Sequence, residues 1–416
     1  MRKSVLVLLG ICSSVWAGDI TSQDRDLSGA KPSAKIFFQL TSEGRRQNNA
    51  WIYPAQQVSA GRRMGPATPG NPVVISGVFS VSDNQGQLRP AKLALIRLVS
   101  LDGYALVDEA GADADGRWIL TPPPNLRGAY SVRFRLDNRY WTLFKQNYYH
   151  YEWEGPALNF PLSESVDIGS FRPDPNTANG QLGVLYLTLL EAVEFFKKNG
   201  IALDWWRLVR VIWPGDSDYY KSDEHSVNLT NAKAWDVNLH ELGHSIVAMA
   251  TNSNPGGGFH KIDECYSANL AWSEGFPTFF AAAVRLALDD PDAKFEFLVP
   301  RRSPIQIENV PPDVCAGPNN EWHVASALWD LIDAHVDGTD QLSLPFKRLW
   351  ESLYRGHIAG FEGAWNLLQK NLTPQERVLA EEILKQNTIS FSLAGQPRSR
   401  RFNLRPNWDG GQTKSR

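Results

Sequence analysis

The chain has 416 residues, 43% of them hydrophobic and 21% charged, with a formal net charge of -3. That length exceeds one ordinary domain, and the composition excludes a disordered or fibrous protein. The balance also argues against a nucleic-acid binder, which needs a concentrated basic face; the basic cluster from Arg398 through Arg405 to Arg416 reads as a solvated tail over 391–416.

In chain order, Met1-Arg2-Lys3 precedes the apolar run Val5 to Leu9, and Val15 and Ala17 are small residues suited to cleavage. Residues 1–17 are predicted to be a secretory signal peptide, too short for a membrane span, which places the mature protein outside the cytoplasm or in the periplasm. Ile11 before Cys12 argues against lipidation. Residues 18–71 read as an extension and linker, with short strand-like runs at Ile36-Phe37-Phe38 and Trp51-Ile52-Tyr53 and a Gly/Pro-rich stretch from Gly61 to Pro72. Over 72–172, short alternating apolar runs such as Val74 to Phe79, Leu93 to Ile96 and Tyr130 to Phe134 are separated by turn clusters, predicting an antiparallel β-sandwich. The pattern loosely resembles immunoglobulin-like or transthyretin-like modules. Pro173-Asp174-Pro175-Asn176 marks a boundary, and a helix-rich domain is expected over 176–390. The predicted class is therefore α+β, a sandwich followed by a mostly helical domain with a small sheet.

Within that second domain, Leu182, Leu185, Leu187, Leu190, Val193 and Phe196 recur at helical spacing and stop at Asn199-Gly200. Strands are expected at Leu208 to Trp213 and, more exposed, at His225 to Leu229. The stretch Ala234 to Ala250 reads as a helix, and another is predicted from about Cys265 to Leu288. Cys265 and Cys315 are the only cysteines left after signal removal, and an even pair in an exported chain predicts one disulfide.

The chemistry centres on His240-Glu241-Leu242-Gly243-His244. Residues four apart share one helix face, so both imidazoles can be aimed at one metal ion, with Glu241 beside them to take a proton from a water. A third ligand must come from elsewhere. Glu274 is the strongest candidate, because Trp272, Phe276, Phe279 and Phe280 around it make a surface role improbable, and a buried carboxylate needs a partner.

At these positions the sequence resembles the gluzincins, zinc peptidases with a His-Glu-x-x-His helix and a downstream glutamate. Trp272-Ser273-Glu274-Gly275-Phe276 looks like the corresponding segment of the zinc aminopeptidases. The resemblance spans roughly residues 225 to 335 and implies one zinc per chain held by His240, His244 and Glu274, with Glu241 as general base. In thermolysin-like and fungalysin-like enzymes a histidine before a further helix supports the transition state; Glu321-Trp322-His323-Val324 is similar, so that role is expected of His323, with His335, Tyr354 and His357 in reserve. Two departures stand out. Thr278 replaces the acid that orients the first histidine in thermolysin-like enzymes, so Asp236 is the expected substitute, and no Gly-x-Met-Glu-Asn segment for gripping a free amine precedes Asp236, which favours internal cleavage.

The expected activity is hydrolysis of peptide or protein substrates, with Val227 to Leu229 as the edge strand that pairs with them. No nucleic-acid partner and no stable membrane insertion are expected. The alternative is a secreted binding protein that keeps the zincin-like scaffold without its turnover.

Overall fold

The computed structural model describes residues 44–66, 72–253 and 256–391. The predicted signal peptide over 1–17, the run Ile36 to Phe38 and the basic tail from residue 392 lie outside the described residues.

The architecture is mixed α+β, with two large sheets and seven α-helices among the described residues. Alternation explains the sheet faces: in Ile75–Ser82 every second residue from Ile75 is buried, and in Arg117–Leu120 Trp118 and Leu120 are buried. These strands belong to a six-stranded sheet with Gln56–Ser59, Arg62–Pro66, Leu88–Pro90 and Glu164–Arg172. Its inner face meets a ten-stranded sheet at an aromatic cluster, where the Phe134 ring lies 4.6 Å from Phe79, 5.5 Å from Phe171 and 5.9 Å from Trp118.

Three expectations change here. Residues read as extension and linker supply four strands between Arg45 and Pro66, and Ala50–Pro54 runs parallel to Tyr149–Phe160, so the sandwich is mixed and not antiparallel. The helix-rich half does not carry a small sheet of its own for Val209–Ile212, Tyr219–Lys221 and Ser226–Asn228. Instead these strands extend the ten-stranded sheet, Trp141 pairing with Val209 in a parallel ladder across the position where the boundary is expected. Parallel partners need a long connection, which the chain between 145 and 209 provides. Lastly, Ser226–Asn228 is not an edge: Tyr219–Lys221 covers it, Tyr220 opposite Val227.

Helix α1 (Leu182–Lys198) joins the halves. One side reaches the sheet through the Tyr186 ring, 5.5 Å from Trp141, and the other supplies Phe196 to a core of Phe280, Phe346 and Trp350. It ends at Asn199, with Gly200 in the left-handed region that glycine tolerates. Helix α2 (Trp235–Ala250), α3 (Ala268–Arg285) and α4 (Glu321–Asp330) pack side by side, with α5 (Phe346–Leu353), α6 (Phe361–Leu368) and α7 (Pro374–Gln386) around them. Gly243 lets α2 and α3 close up, since a Cβ there would lie 2.9 Å from Pro277 Cα. Gly275 does the same for α4: its Cβ would meet the Glu321 carbonyl oxygen at 2.8 Å. No helix among the described residues is long and apolar enough to cross a membrane.

Candidate metal centre

The two close helix contacts bring four side chains together. His240 and His244 project from α2 with their Nε2 atoms 3.1 Å apart, and Glu274 on α3 places Oε2 3.3 Å from His240 Nε2 and 3.2 Å from His244 Nε2. Glu241 follows on the same turn, one oxygen 4.0 Å from His244 Nε2. Tetrahedral coordination with bonds of about 2.0–2.1 Å puts donor atoms roughly 3.3 Å apart. The three donors therefore fit one zinc-sized ion, and their chemistry, two imidazoles and a carboxylate, suits it.

Burial governs the electrostatics. His240 is wholly enclosed, and burial pushes its pKa down to about 4 against the pull of Glu274. Burial also opposes charge on His244, but the Glu274 and Glu241 carboxylates outweigh it and raise that pKa to about 9. For Glu274 burial is again opposed, and His244 and His260 hold the carboxyl well below its usual range. Glu241 is lifted to about 8 by burial, and neither of its oxygens has a hydrogen-bond partner in the protein. A buried carboxylate left unbonded is costly unless something outside the chain uses it.

The expectation for Asp236 is corrected. Its carboxylate turns to the backbone, accepting from Glu296, Phe297 and Leu298 at 2.7–3.2 Å and from Val237, and so anchors the chain beyond α3 to the start of α2. Thr278, at the position where the acid is missing, meets His240 Nδ1 through Oγ1 at 3.1 Å and orients the ring itself.

His323 is likewise corrected. It starts two residues after Glu321 on α4, and two residues turn a helix by about 200°. Glu321 faces the cluster, so His323 faces away, its ring against the Asn387 backbone beyond α7, and burial pushes its pKa down to about 4. The reserve residues are also placed elsewhere. Tyr354 stacks on Trp350 at 6.2 Å, His357 Nδ1 contacts the Asn252 carbonyl at 3.0 Å beyond the end of α2, and His335 lies near Glu308.

Three residues near the centre escape the sequence reading. His260 lies in the loop between α2 and α3, Nε2 3.6 Å from Glu274 Oε2 and 3.4 Å from Glu321 Oε2. A histidine in a Gly-rich loop has no periodicity to mark it. Glu321 was detectable from helical phase alone, since only one of positions 321 and 323 can face Glu274. Tyr220, on the edge strand, lays its ring parallel to His244 with centroids 6.4 Å apart.

The loop and helices are fastened outside the cluster. Cys265 and Cys315 form a disulfide with Cα atoms 5.6 Å apart, tying the lead into α3 to the loop before α4. Asn320 caps α4, accepting from the His323 backbone N–H at 3.0 Å, and its amide donates to the carbonyls of Ile262 and Glu264 just after His260.

Residues 197–388 match the family model described as the mycolysin C-terminal domain, a stretch that contains every residue of the cluster. No curated protein matches the chain. Two solved structures show weak likeness. A candidate carbohydrate binding protein from Pseudomonas aeruginosa is 15% identical over 24% of this chain and 88% of its own, with a TM-score of 0.17. A 9R-lipoxygenase from Cyanothece is 14% identical over 39% of this chain and 26% of its own, with a TM-score of 0.18. Likeness at that level carries no argument for fold or function. What the comparisons support is a relation of the helical half to a domain of a secreted zinc peptidase family, with no activity shown.

Proposed function

We propose that the protein is a secreted zinc metallopeptidase that cleaves peptide bonds inside protein chains, with zinc held by His240, His244 and Glu274. The observation that carries this reading is the pairing of three donors at tetrahedral spacing with a second acid, Glu241, buried beside them with no hydrogen-bond partner in the protein. Bound there, zinc lowers the pKa of a water and polarises a carbonyl. Glu241, buried beside the three donors with no hydrogen-bond partner in the protein, would accept the proton as the water attacks and deliver it to the leaving nitrogen. Thr278 fixes the His240 ring, and Glu274 compensates the two imidazoles. An extended substrate adds alongside the edge strand Tyr219–Lys221, where Tyr220 stacks beside His244, rather than alongside the inner strand Ser226–Asn228.

The test is the full chain incubated with a mixture of unfolded proteins, its products mapped by mass. Wild type should cut at internal bonds, and Glu241→Gln should keep its zinc while losing roughly 100- to 10,000-fold in rate. Equal rates in both would overturn the reading, and absence of turnover in wild type with zinc bound would favour a binding protein.

A further inference from the structure

A second group of donors shares Glu274. One donor atom each of His260, Glu274 and Glu321 lies within 4.8 Å of the others, and all three residues are buried, at 0%, 3% and 4% exposure. His260 Nδ1 is 3.0 Å from the Gly258 carbonyl oxygen, to which it can only donate. In the neutral ring that bond leaves Nε2 a lone pair, the arrangement that orients metal-binding histidines. That lone pair faces two carboxylate oxygens, at 3.4 Å and 3.6 Å. Of these atoms, His260 Nε2 and Glu274 Oε2 are buried with no hydrogen-bond partner in the protein, so the space they face calls for a positive charge.

A proton on Nε2 is one such charge, but it would bind best at a hydrogen-bond distance of about 2.7–2.9 Å. The observed separations are longer. Donors bound at about 2.1 Å and subtending roughly 110–120° at an ion lie about 3.4–3.6 Å apart. We propose that His260, Glu321 and Glu274 form a second site for a zinc-class divalent cation, with Glu274 shared between the two ions. The proposal rests on the reading of His240, His244 and Glu274 as a zinc site. Glu274 then serves both ions through one carboxylate, as in paired-metal hydrolases whose ions lie about 3.5–4 Å apart. The fastenings around the loop fit this role: Asn320 ties the backbone just past His260 to the start of α4, and so holds His260 and Glu321 in register.

The experiment is a zinc titration of the full chain after chelator treatment, with zinc alone as the probe and bound metal per chain as the readout. Wild type should take two equivalents, while Glu321→Gln, which keeps the side-chain shape, and His260→Asn should each take one. One equivalent in wild type, unchanged in Glu321→Gln, would overturn the second site and leave the first intact, the charge at His260 then being a proton. Two equivalents in both variants would also overturn it. No binding in wild type would overturn the zinc reading and this one with it.

Discussion

Both halves of the molecule bury charge, but the sheet half pairs acids with arginines along its ladders, while the helical half gathers acids and histidines at one point. In the ten-stranded sheet Glu152 lies 3.1 Å from Arg135 Nε and 3.3 Å from Arg97, while Glu154 lies 2.7 Å from both Arg133 and Arg45. The register explains it: Glu109, Arg97, Arg133 and Glu154 lie opposite one another on four neighbouring strands, so each arginine has an acid on one flank. Around α2, α3 and α4 the charged groups are three glutamates and three histidines converging on shared space. A network of acids and arginines closed on itself holds a sheet together; donors converging on one point could hold a metal ion.

The largest expected effect breaks the closed network. Glu152→Ala removes the buried carboxylate that Arg135 and Arg97 share, leaving them only Asp137 at 3.8 Å and the exposed Glu109, and should cost about 3–5 kcal/mol in denaturant unfolding, with zinc content unchanged. If zinc were lost as well, the two regions would not be independent. Next, replacing Cys265 and Cys315 by serine opens a loop with a sequence separation of 50 and should cost roughly 3 to 4 kcal/mol, again read by unfolding. A change within error would show that Asn320 and the capped helices hold the loop unaided. Chelation should then lower stability by about 2.7 kcal/mol relative to protein in zinc at 100 times its dissociation constant, and the same chelation should leave His240→Ala unaffected. Equal responses in both proteins would place the bound metal elsewhere. Smallest, Thr278→Val removes the hydroxyl that meets His240 Nδ1 and should weaken zinc by roughly 10- to 100-fold, measured by competition with a chromophoric chelator. Unchanged affinity would mean that packing alone orients the ring.

How much of this is legible in the sequence depends on the kind of signal. Sandwich strands such as Ile75–Ser82 carry period-two burial, and α1 to α3 carry helical spacing, with Asn199-Gly200 closing α1 and Ser267 capping α3, so both are readable locally. His240, Glu241 and His244 are readable because helix geometry fixes their relation, and Glu274 because an acid among large aromatics demands a partner. His323 misleads through motif resemblance, where the phase of α4 points to Glu321. Strands at Arg45–Gln47 and Tyr219–Lys221 are three residues long, and what makes them strands is their partners, Ala50–Pro54 and Ser226–Asn228. His260 owes its place to the Gly258 carbonyl and to backbone contacts at Ile262 and Glu264, which no local pattern encodes.

The central claim is that His240, His244 and Glu274 hold zinc, and anomalous diffraction at the zinc absorption edge from crystals of the full chain tests it most directly. The account predicts a peak about 2.0–2.2 Å from both Nε2 atoms and a Glu274 oxygen, with the Glu241 carboxylate beside it and outside bonding distance. No peak at that position in crystals grown with zinc, or a peak whose bonds include Glu241 in place of Glu274, would contradict it.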